Sequence, residues 1–389
     1  MCRLLFTFLS RARRCRFPTA PLRCYATVAE SSSLRTALFF PGHGVQRVGM
    51  TSAWLEAYPS TVRPFLEETD EILKYPLSKV IAEGPVNKLN ETENAQPGVM
   101  ATSIMILRVL EKEYGFKTDQ KIDVTLGHSL GEYAALVVAG YLEYPFALSM
   151  VRRRAEIMAE CTRKATEESG ETYGMMALVC EPDRLESLLT TIHQFLELGA
   201  GSKTDSHEVA AIDQVLIANI NSKNQIVLSG SFDRIKQLLV QIREFGGHDP
   251  RAVEIKSNSP FHSPIMIPAM EYMRKTLRDG PVNFPAKMPC ISNVSGLPFK
   301  SKDDLKDLLS RQAVETVRWW DSIKYLDQTA KVKRWLGVGP GKVGRNLVGK
   351  EVGRSFAKGG GVWAISDPRE VEQTLRALEE TEAEDISAF

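Results

Sequence analysis

The chain has 389 residues, of which 43% are hydrophobic and 25% are charged, as is usual for a soluble globular protein with two or three structural units. The formal net charge is +1, but six arginines fall within the first 25 residues. The rest of the chain is therefore mildly acidic, which argues against nucleic acid as the main partner.

The first 25 residues have the composition of a mitochondrial transit peptide. They contain six arginines and no acidic residue, and the first acid is Glu30. The only apolar run is short and is followed by arginines, which disfavours a secretory signal, and the segment is too charged to span a membrane. We therefore expect residues 1–25 to direct the protein to the mitochondrial matrix. The alternative is a disordered basic tail that targets nothing.

Three cysteines lie in this leader, and the other three, Cys161, Cys180 and Cys290, are far apart in the chain. No CxxC pair is present. This usage predicts buried thiols in a reducing compartment and neither a disulfide framework nor a metal site.

A serine-rich linker over residues 26–36 precedes the first predicted strand, which ends at Phe40 and is followed by a tight "PGHG" turn. Helical patterns, two of them closed by a glycine, then alternate with a short strand. The predicted elements are helices over 59–73 and 97–114, a strand over 121–126, and helices over 131–139 and 144–165. This alternation predicts an α/β core with a largely parallel sheet.

The pattern changes between residues 165 and 254. Two strand-like runs, 173–179 and 225–231, are each followed by a helical run, which predicts a β-α-β-α unit, half of a ferredoxin-like fold. The polar stretch 199–209 between them indicates a surface insertion. We therefore expect a small domain (165–254) inserted into a large one (37–164 and 255–380), with an acidic tail (381–389) that frays.

The sequence Gly-His-Ser-Leu-Gly at 127–131 lies where a predicted strand meets a predicted helix. A serine on such a sharp turn is a nucleophile elbow: the glycines allow the turn, and the hydroxyl is exposed beside a helix N-terminus. The alternative is an ordinary serine helix cap.

The longer segment "GHSLGEYAAL" resembles the active-site segment of the malonyl-CoA:acyl carrier protein transacylases. "FFPGHGVQRVGM", "RRRAEIM", "NQIVLSG", "SNSPFHSPIM", "RQAVETVRWWDS" and "GVGPGKV" resemble further segments of that family in the same order. The likeness covers residues 36–354 and suggests a mitochondrial, stand-alone type. It implies an α/β-hydrolase-like core with an inserted small ferredoxin-like subdomain.

The resemblance also implies roles for individual residues. Ser129 would be the nucleophile, His262 the general base, and Gln312 the residue that orients the imidazole through its main-chain carbonyl. The backbone N–H groups of His43 and Leu130 would form the oxyanion hole. Arg154 would bind the substrate carboxylate, and Phe261 would crowd a 2-methyl group.

His43 departs from the family, which usually has glutamine at that position. A backbone donor survives a change of side chain, so the oxyanion assignment is kept; the alternative is that His43 is the base. His128 lies inside the elbow, where its side chain is expected to point away from Ser129. His193, His207 and His248 lie in the polar small domain and are expected to be solvated.

Arg154 has two arginine neighbours, Arg152 and Arg153, on one predicted helix. Three consecutive positions spread over about 200° of a helix, so they do not all face the same way. At least one of them can point inward while the others remain solvated.

The stretch "GVGPGK" is not a phosphate-binding loop, because Val343 stands where Ser or Thr is required and the spacing is one residue short. The basic residues around it form a solvated face or, since carrier proteins of this class are acidic, a docking patch. These residues are Lys342, Arg345, Lys350 and Arg354.

The function that the resemblance implies is transfer of malonyl from malonyl-CoA to the phosphopantetheine thiol of acyl carrier protein through a malonyl-serine. It would supply mitochondrial type II fatty acid synthesis. No cofactor beyond these substrates is expected, and the enzyme is expected to be a monomer without a membrane segment. The alternatives are a serine hydrolase or thioesterase acting on acyl-CoA, and a non-catalytic module that binds acyl carrier protein.

Overall fold

The computed structural model describes residues 35–199, 210–255, 257, 259–352 and 360–387. The predicted leader and nearly all of the predicted surface insertion lie outside these ranges. The strands are β1 (Arg35–Phe40), β2 (Val124–Gly127), β3 (Tyr173–Val179), β4 (Leu216–Ser222), β5 (Gln225–Ser231), β6 (Arg251–Glu254), β7 (Val332–Val338) and β8 (Gly361–Ile365). The helices are α1 (Ser52–Ala57), α2 (Pro59–Leu73), α3 (Leu77–Glu83), α4 (Val86–Asn90), α5 (Thr92–Tyr114), α6 (Thr118–Lys121), α7 (Gly131–Ala139), α8 (Tyr144–Ser169), α9 (Leu185–Gly199), α10 (Phe232–Glu244), α11 (Ile267–Asp279), α12 (Lys302–Arg311), α13 (Trp319–Lys324), α14 (Val343–Val352) and α15 (Val371–Ser387).

Four strands form the parallel sheet of the large part, in the order β2-β1-β7-β8. Side chains alternate between the two faces of a sheet along each strand, and both faces of this sheet are buried. In β1, Leu38 and Phe40 pack into one hydrophobic core, and Ala37 and Phe39 pack into another. Because β1 and β2 pair in parallel, their carboxyl ends lie side by side, at the edge where ligands bind in open α/β sheets.

The second sheet is antiparallel, with the order β4-β5-β3-β6. With α9 and α10 it forms a whole β-α-β-β-α-β ferredoxin-like unit, where the sequence predicted only half. The sequence analysis missed β4 because its "LIANINS" run is interrupted by asparagines. It missed β6 because this strand is four residues long and largely exposed.

The segment after α12 joins the small sheet to the large part. The Val317 N–H donates to the Ala218 carbonyl oxygen at 2.8 Å, and the Ile220 N–H donates to the Val317 carbonyl oxygen at 3.0 Å. This segment therefore continues the small sheet beyond β4. The segment begins at Gln312, the residue predicted to orient His262. The pairing therefore holds Gln312 at the junction of the small sheet and the large part.

Several element boundaries differ from those predicted from the sequence. Helix α5 begins five residues before the predicted start, and α8 continues to Ser169, past the predicted domain boundary. Helix α15 continues to Ser387, through most of the segment expected to fray. Within the described residues, no helix combines the length and the apolar character needed to cross a membrane.

Candidate active site

Ser129 lies on the turn between β2 and α7, and its backbone has a φ of 50°. This left-handed conformation costs a non-glycine residue about 1–3 kcal/mol. A Cβ atom at Gly131 would lie 2.5 Å from the Phe40 carbonyl oxygen, so only glycine allows α7 to start this close to β1. The strain and the close approach together present the Ser129 side chain at the carboxyl edge of the sheet.

The Asn293 side chain holds both sides of this turn. Its Oδ1 accepts a hydrogen bond from the Ser129 N–H at 2.6 Å, and its Nδ2 donates to the Gly127 carbonyl oxygen at 2.7 Å. Asn293 is buried, so these bonds satisfy backbone groups that the sharp turn removes from the sheet and the helix.

The Ser129 hydroxyl and the buried His262 imidazole form the reactive pair. Ser129 Oγ lies 2.8 Å from His262 Nε2. His262 Nδ1 lies 2.8 Å from the Gln312 carbonyl oxygen and 3.1 Å from the Glu315 carbonyl oxygen. Since carbonyl oxygens only accept, Nδ1 carries the proton, and the Nε2 lone pair faces the Ser129 hydroxyl.

The surroundings of His262 keep it neutral. Burial, reinforced by the positive charge of Arg154, lowers the pKa of His262 to about 3. At neutral pH the imidazole is therefore uncharged and able to accept the Ser129 proton.

Arg154 points inward from α8 and is only 1% exposed. Its Nη1 donates to Gln96 Oε1 and its Nη2 to Gln312 Oε1, both at 2.8 Å. Its Nε is buried without a hydrogen-bond partner in the described part of the chain. A guanidinium has five N–H donors, so this buried charge is held by two neutral amides and keeps donors available.

The two arginines that precede Arg154 take the other sides of the helix. Arg152 pairs with Glu156 and also donates to the Glu93 carbonyl oxygen, while the exposed Arg153 pairs with Glu156. The helix thus turns one arginine of the three into the interior.

Gln312 connects the reactive pair to Arg154. Its carbonyl oxygen lies beside His262 Nδ1, and its side-chain Oε1 accepts from Arg154. Its Nε2 donates to the Ser129 carbonyl oxygen at 2.7 Å and to Glu132 Oε2 at 2.9 Å. Serine, histidine and arginine, which are far apart in the sequence, therefore share one hydrogen-bonded network.

The "PGHG" turn packs against the elbow. A Cβ atom at Gly42 would lie 2.6 Å from the His128 carbonyl oxygen. His43 lies in this turn and Leu130 directly follows Ser129 at the start of α7, so the two residues predicted to supply the oxyanion hole lie on adjoining turns. The His43 ring stands edge-on to the Phe261 ring, with centroids 5.4 Å apart, and burial lowers the pKa of His43 to about 4.

The structure places the remaining histidines as follows. His128 Nε2 lies 2.8 Å from Asn221 Oδ1, away from the Ser129 hydroxyl. His193 is exposed, but His248 is buried, so the expectation that His248 is solvated was wrong. His207 lies outside the described residues.

Three of the four residues of the predicted docking patch lie within the described part of the chain. Lys342 is paired with Glu370, and Lys350 contacts Asn224 Oδ1. Arg345 is exposed on α14, and Arg354 lies outside the described residues. Lys342, Arg345 and Lys350 are all exposed, and the docking role of the four residues stays a prediction.

Three buried residues of the site, Gln96, Glu132 and Asn293, were not singled out from the sequence. Glu132 follows Ser129 by three residues, but an acid in a first helical turn is usually solvated, so the sequence did not indicate its role. Gln96 and Asn293 had no signal either, since their positions depend on which distant segments pack around them.

Comparison with known proteins gives consistent matches. Residues 38–185 match the acyl transferase domain family. The malonyl CoA-acyl carrier protein transacylase of Bacillus subtilis is 36% identical over 346 residues, covering 89% of this chain and 98% of that protein. The crystal structure of acyl-carrier-protein-S-malonyltransferase from Bartonella henselae has a TM-score of 0.73 and 30% identity, with 89% and 100% of the two chains covered. A malonyl-transacylase in complex with its type II PKS acyl-carrier protein has a TM-score of 0.72 and 26% identity, with 89% and 99% covered.

Replacing Gly131 with alanine should destabilise the fold and displace Ser129. The added methyl would meet the Phe40 and Pro41 carbonyl oxygens at 2.5 and 2.7 Å, so β1 and α7 must separate. We expect the free energy of unfolding to fall by about 2 kcal/mol or more, measured by urea denaturation. The matched control is Gly349→Ala on α14, where a Cβ meets nothing within 4 Å. It should stabilise the protein by about 0.5–1 kcal/mol. Equal effects of the two substitutions would contradict the close approach at the elbow.

Proposed function

Because this chain belongs to the malonyl CoA-acyl carrier protein transacylase family, we propose that it moves a malonyl group from malonyl-CoA to the phosphopantetheine thiol of an acyl carrier protein. The observation that carries this proposal is the network in which Gln312 joins the Ser129–His262 pair to the buried Arg154. It offers a nucleophile, a base and a carboxylate receptor within one site.

In the first half-reaction, Ser129 Oγ attacks the thioester carbonyl while its proton passes to His262 Nε2. The Gln312 carbonyl oxygen accepts from Nδ1–H and so stabilises the imidazolium that forms. The N–H groups of His43 and Leu130 receive the negative oxygen of the tetrahedral intermediate. The C–S bond then breaks, and the coenzyme A sulfur takes the proton from Nε2, which leaves malonyl-Ser129 and neutral His262.

The second half-reaction uses the same groups in reverse. The phosphopantetheine thiol gives its proton to His262 Nε2 as its sulfur attacks the serine ester. Collapse of this intermediate breaks the C–O bond, and Ser129 Oγ recovers the proton. Two half-reactions through one covalent intermediate require ping-pong kinetics.

Arg154 would select the acyl group by pairing with its free carboxylate. The N–H groups that Gln96 and Gln312 leave unused can donate to two carboxylate oxygens. The buried Phe261, next to His262, would crowd a substituent at C2. Acetyl groups lack the charge, and 2-methylmalonyl groups meet the ring.

We further propose that residues 1–25 deliver the enzyme to the mitochondrial matrix, where it supplies type II fatty acid synthesis. The support is the run of six arginines without an acid. Import of a reporter fused behind these residues, compared with an Arg→Gln version of the leader, measures this; cytosolic retention of the unmodified fusion rejects it.

The central test is covalent labelling. We expect malonyl-CoA to add one malonyl group to the elbow peptide at Ser129, detected by mass spectrometry, and Ser129→Ala to remove it. Addition of acyl carrier protein should then transfer the label to the carrier. Release as free malonate at an undiminished rate without carrier would instead indicate a hydrolase, and absence of an adduct a binding module.

Replacing Arg154 with alanine should remove the preference for malonyl. Loss of a charge-assisted pair of about 1.5–3 kcal/mol lowers kcat/KM for malonyl-CoA by roughly 10- to 150-fold, while acetyl transfer should rise. The control is Arg153→Ala, the exposed neighbour on α8, which should leave both rates unchanged. Unaltered malonyl turnover in Arg154→Ala would show that this guanidinium does not bind the carboxylate.

Reactivity of Ser129 should persist at low pH. Because the pKa of His262 is lowered to about 3, the imidazole stays neutral at pH 5, where an ordinary histidine is mostly protonated. We expect the rate of Ser129 sulfonylation by a neutral sulfonyl fluoride to be nearly constant from pH 8 to 5. In Arg154→Ala, loss of the neighbouring charge raises the His262 pKa and moves the acid limb to higher pH. A limb centred near pH 6.5 in both proteins would contradict the buried, neutral base.

A further inference from the structure

Glu132 is a buried carboxyl group that the acyl-transfer steps above do not use. It lies in the first turn of α7, three residues after Ser129, and its side chain is 1% exposed. Burial raises the pKa of Glu132 above its usual range, whereas the two N–H donors, one on each oxygen, and the positive charge of Arg154 favour the ionised form. A buried carboxyl group is costly to retain, so its contacts should account for it.

Both carboxyl oxygens of Glu132 accept hydrogen bonds. Oε1 accepts from the Asn293 backbone N–H at 3.1 Å, and Oε2 accepts from Gln312 Nε2 at 2.9 Å. The first donor is a main-chain group with a fixed position, and it belongs to the residue whose side chain bonds both sides of the serine turn. The second is an amide that is free to rotate by half a turn unless its surroundings distinguish its oxygen from its nitrogen.

The Gln312 amide is useful to Arg154 in one orientation only. With Nε2 directed to Glu132 and to the Ser129 carbonyl oxygen, Oε1 faces the Arg154 guanidinium. In the flipped orientation an NH₂ group would face the guanidinium, donor against donor, and an oxygen would face the Ser129 carbonyl oxygen. Glu132 accepts a hydrogen bond from Nε2 and so stabilises the first orientation.

We propose that Glu132 is a positioning residue for acyl selection: it fixes the orientation of the Gln312 amide, which in turn holds Arg154 in place to receive the malonyl carboxylate. This inference rests on the proposed malonyl transfer and assigns no contact between Glu132 and the substrate. It predicts that Glu132 acts on carboxylate recognition more than on the nucleophile itself.

The substitution Glu132→Gln tests this role with little change in volume. The Asn293 N–H is fixed, so the oxygen of the introduced amide would stay with it, and the introduced NH₂ group would face Gln312 Nε2. Gln312 would then meet a donor in either orientation, the introduced NH₂ group or the Arg154 guanidinium, so its oxygen would no longer hold the guanidinium in one place. We expect kcat/KM for malonyl-CoA to fall about tenfold through a higher KM. The rate of Ser129 sulfonylation by a neutral sulfonyl fluoride should change by less than about twofold, since it needs no carboxylate receptor.

Two further variants separate positioning from simple loss of stability. Thr69→Val removes a buried hydroxyl that is bonded to Tyr144 at the start of α8, so it destabilises the fold outside the network. It should leave the ratio of malonyl turnover to sulfonylation unchanged. Gln312→Leu keeps the main-chain carbonyl that faces His262 but lacks the amide. In that background, Glu132→Gln should cause no further change in the ratio.

The outcomes are distinct. If wild-type enzyme forms malonyl-Ser129 but Glu132→Gln keeps the wild-type ratio, the positioning role is wrong and malonyl transfer stands. Equal losses of malonyl turnover and sulfonylation, or additive effects with Gln312→Leu, would also overturn it and indicate a structural carboxyl group. Absence of a wild-type adduct would overturn the proposed function and this inference together.

Discussion

Burial of the Arg154 guanidinium under neutral partners is the constraint on which the rest of the site depends. The side chain is 1% exposed and is held by the amide oxygens of Gln96 and Gln312. A buried charge without a directly bonded counter-charge is costly, and the fold tolerates it through these oriented dipoles. The same charge helps to lower the pKa of His262, which keeps the base neutral and ready to accept a proton.

The parallel sheet makes this arrangement possible. Because β1 and β2 end side by side, the "PGHG" turn and the serine elbow meet, and Gly131 lets α7 start against the end of β1. The Asn293 amide stabilises the strained backbone at Ser129 through hydrogen bonds to both sides of the turn. The segment from Gln312 to Val317, paired with the small sheet, brings the base and the guanidinium to the same edge.

The sequence predicted the regular parts of this fold well and the packing of the site less well. The bounds of α2, and the glycines that end α5 and α7, follow from local patterns, and the structure has them. Strand β4 was missed because polar residues interrupt it, and its strand character depends on pairing with β5 and with Val317. Glu132 shows the same limit in the site: an acid in a first helical turn is usually a solvated partner of the helix dipole. Only the distant segments that cover it, around Asn293 and Gln312, make it a buried one.

The choice of amides around Arg154 has a chemical consequence. A carboxylate bonded directly to the guanidinium would neutralise it and compete with the malonyl group for the same donors. Glutamine oxygens orient the guanidinium through hydrogen bonds while leaving its charge uncompensated, so an arriving carboxylate gains the full pairing. The carboxyl group of Glu132 bonds to Gln312 and not to Arg154. It therefore orients the amide without using the guanidinium donors that would bind the substrate carboxylate. Because Glu132 bonds to the Gln312 amide and the amide bonds to Arg154, the guanidinium is held in one position while its positive charge remains available to the substrate.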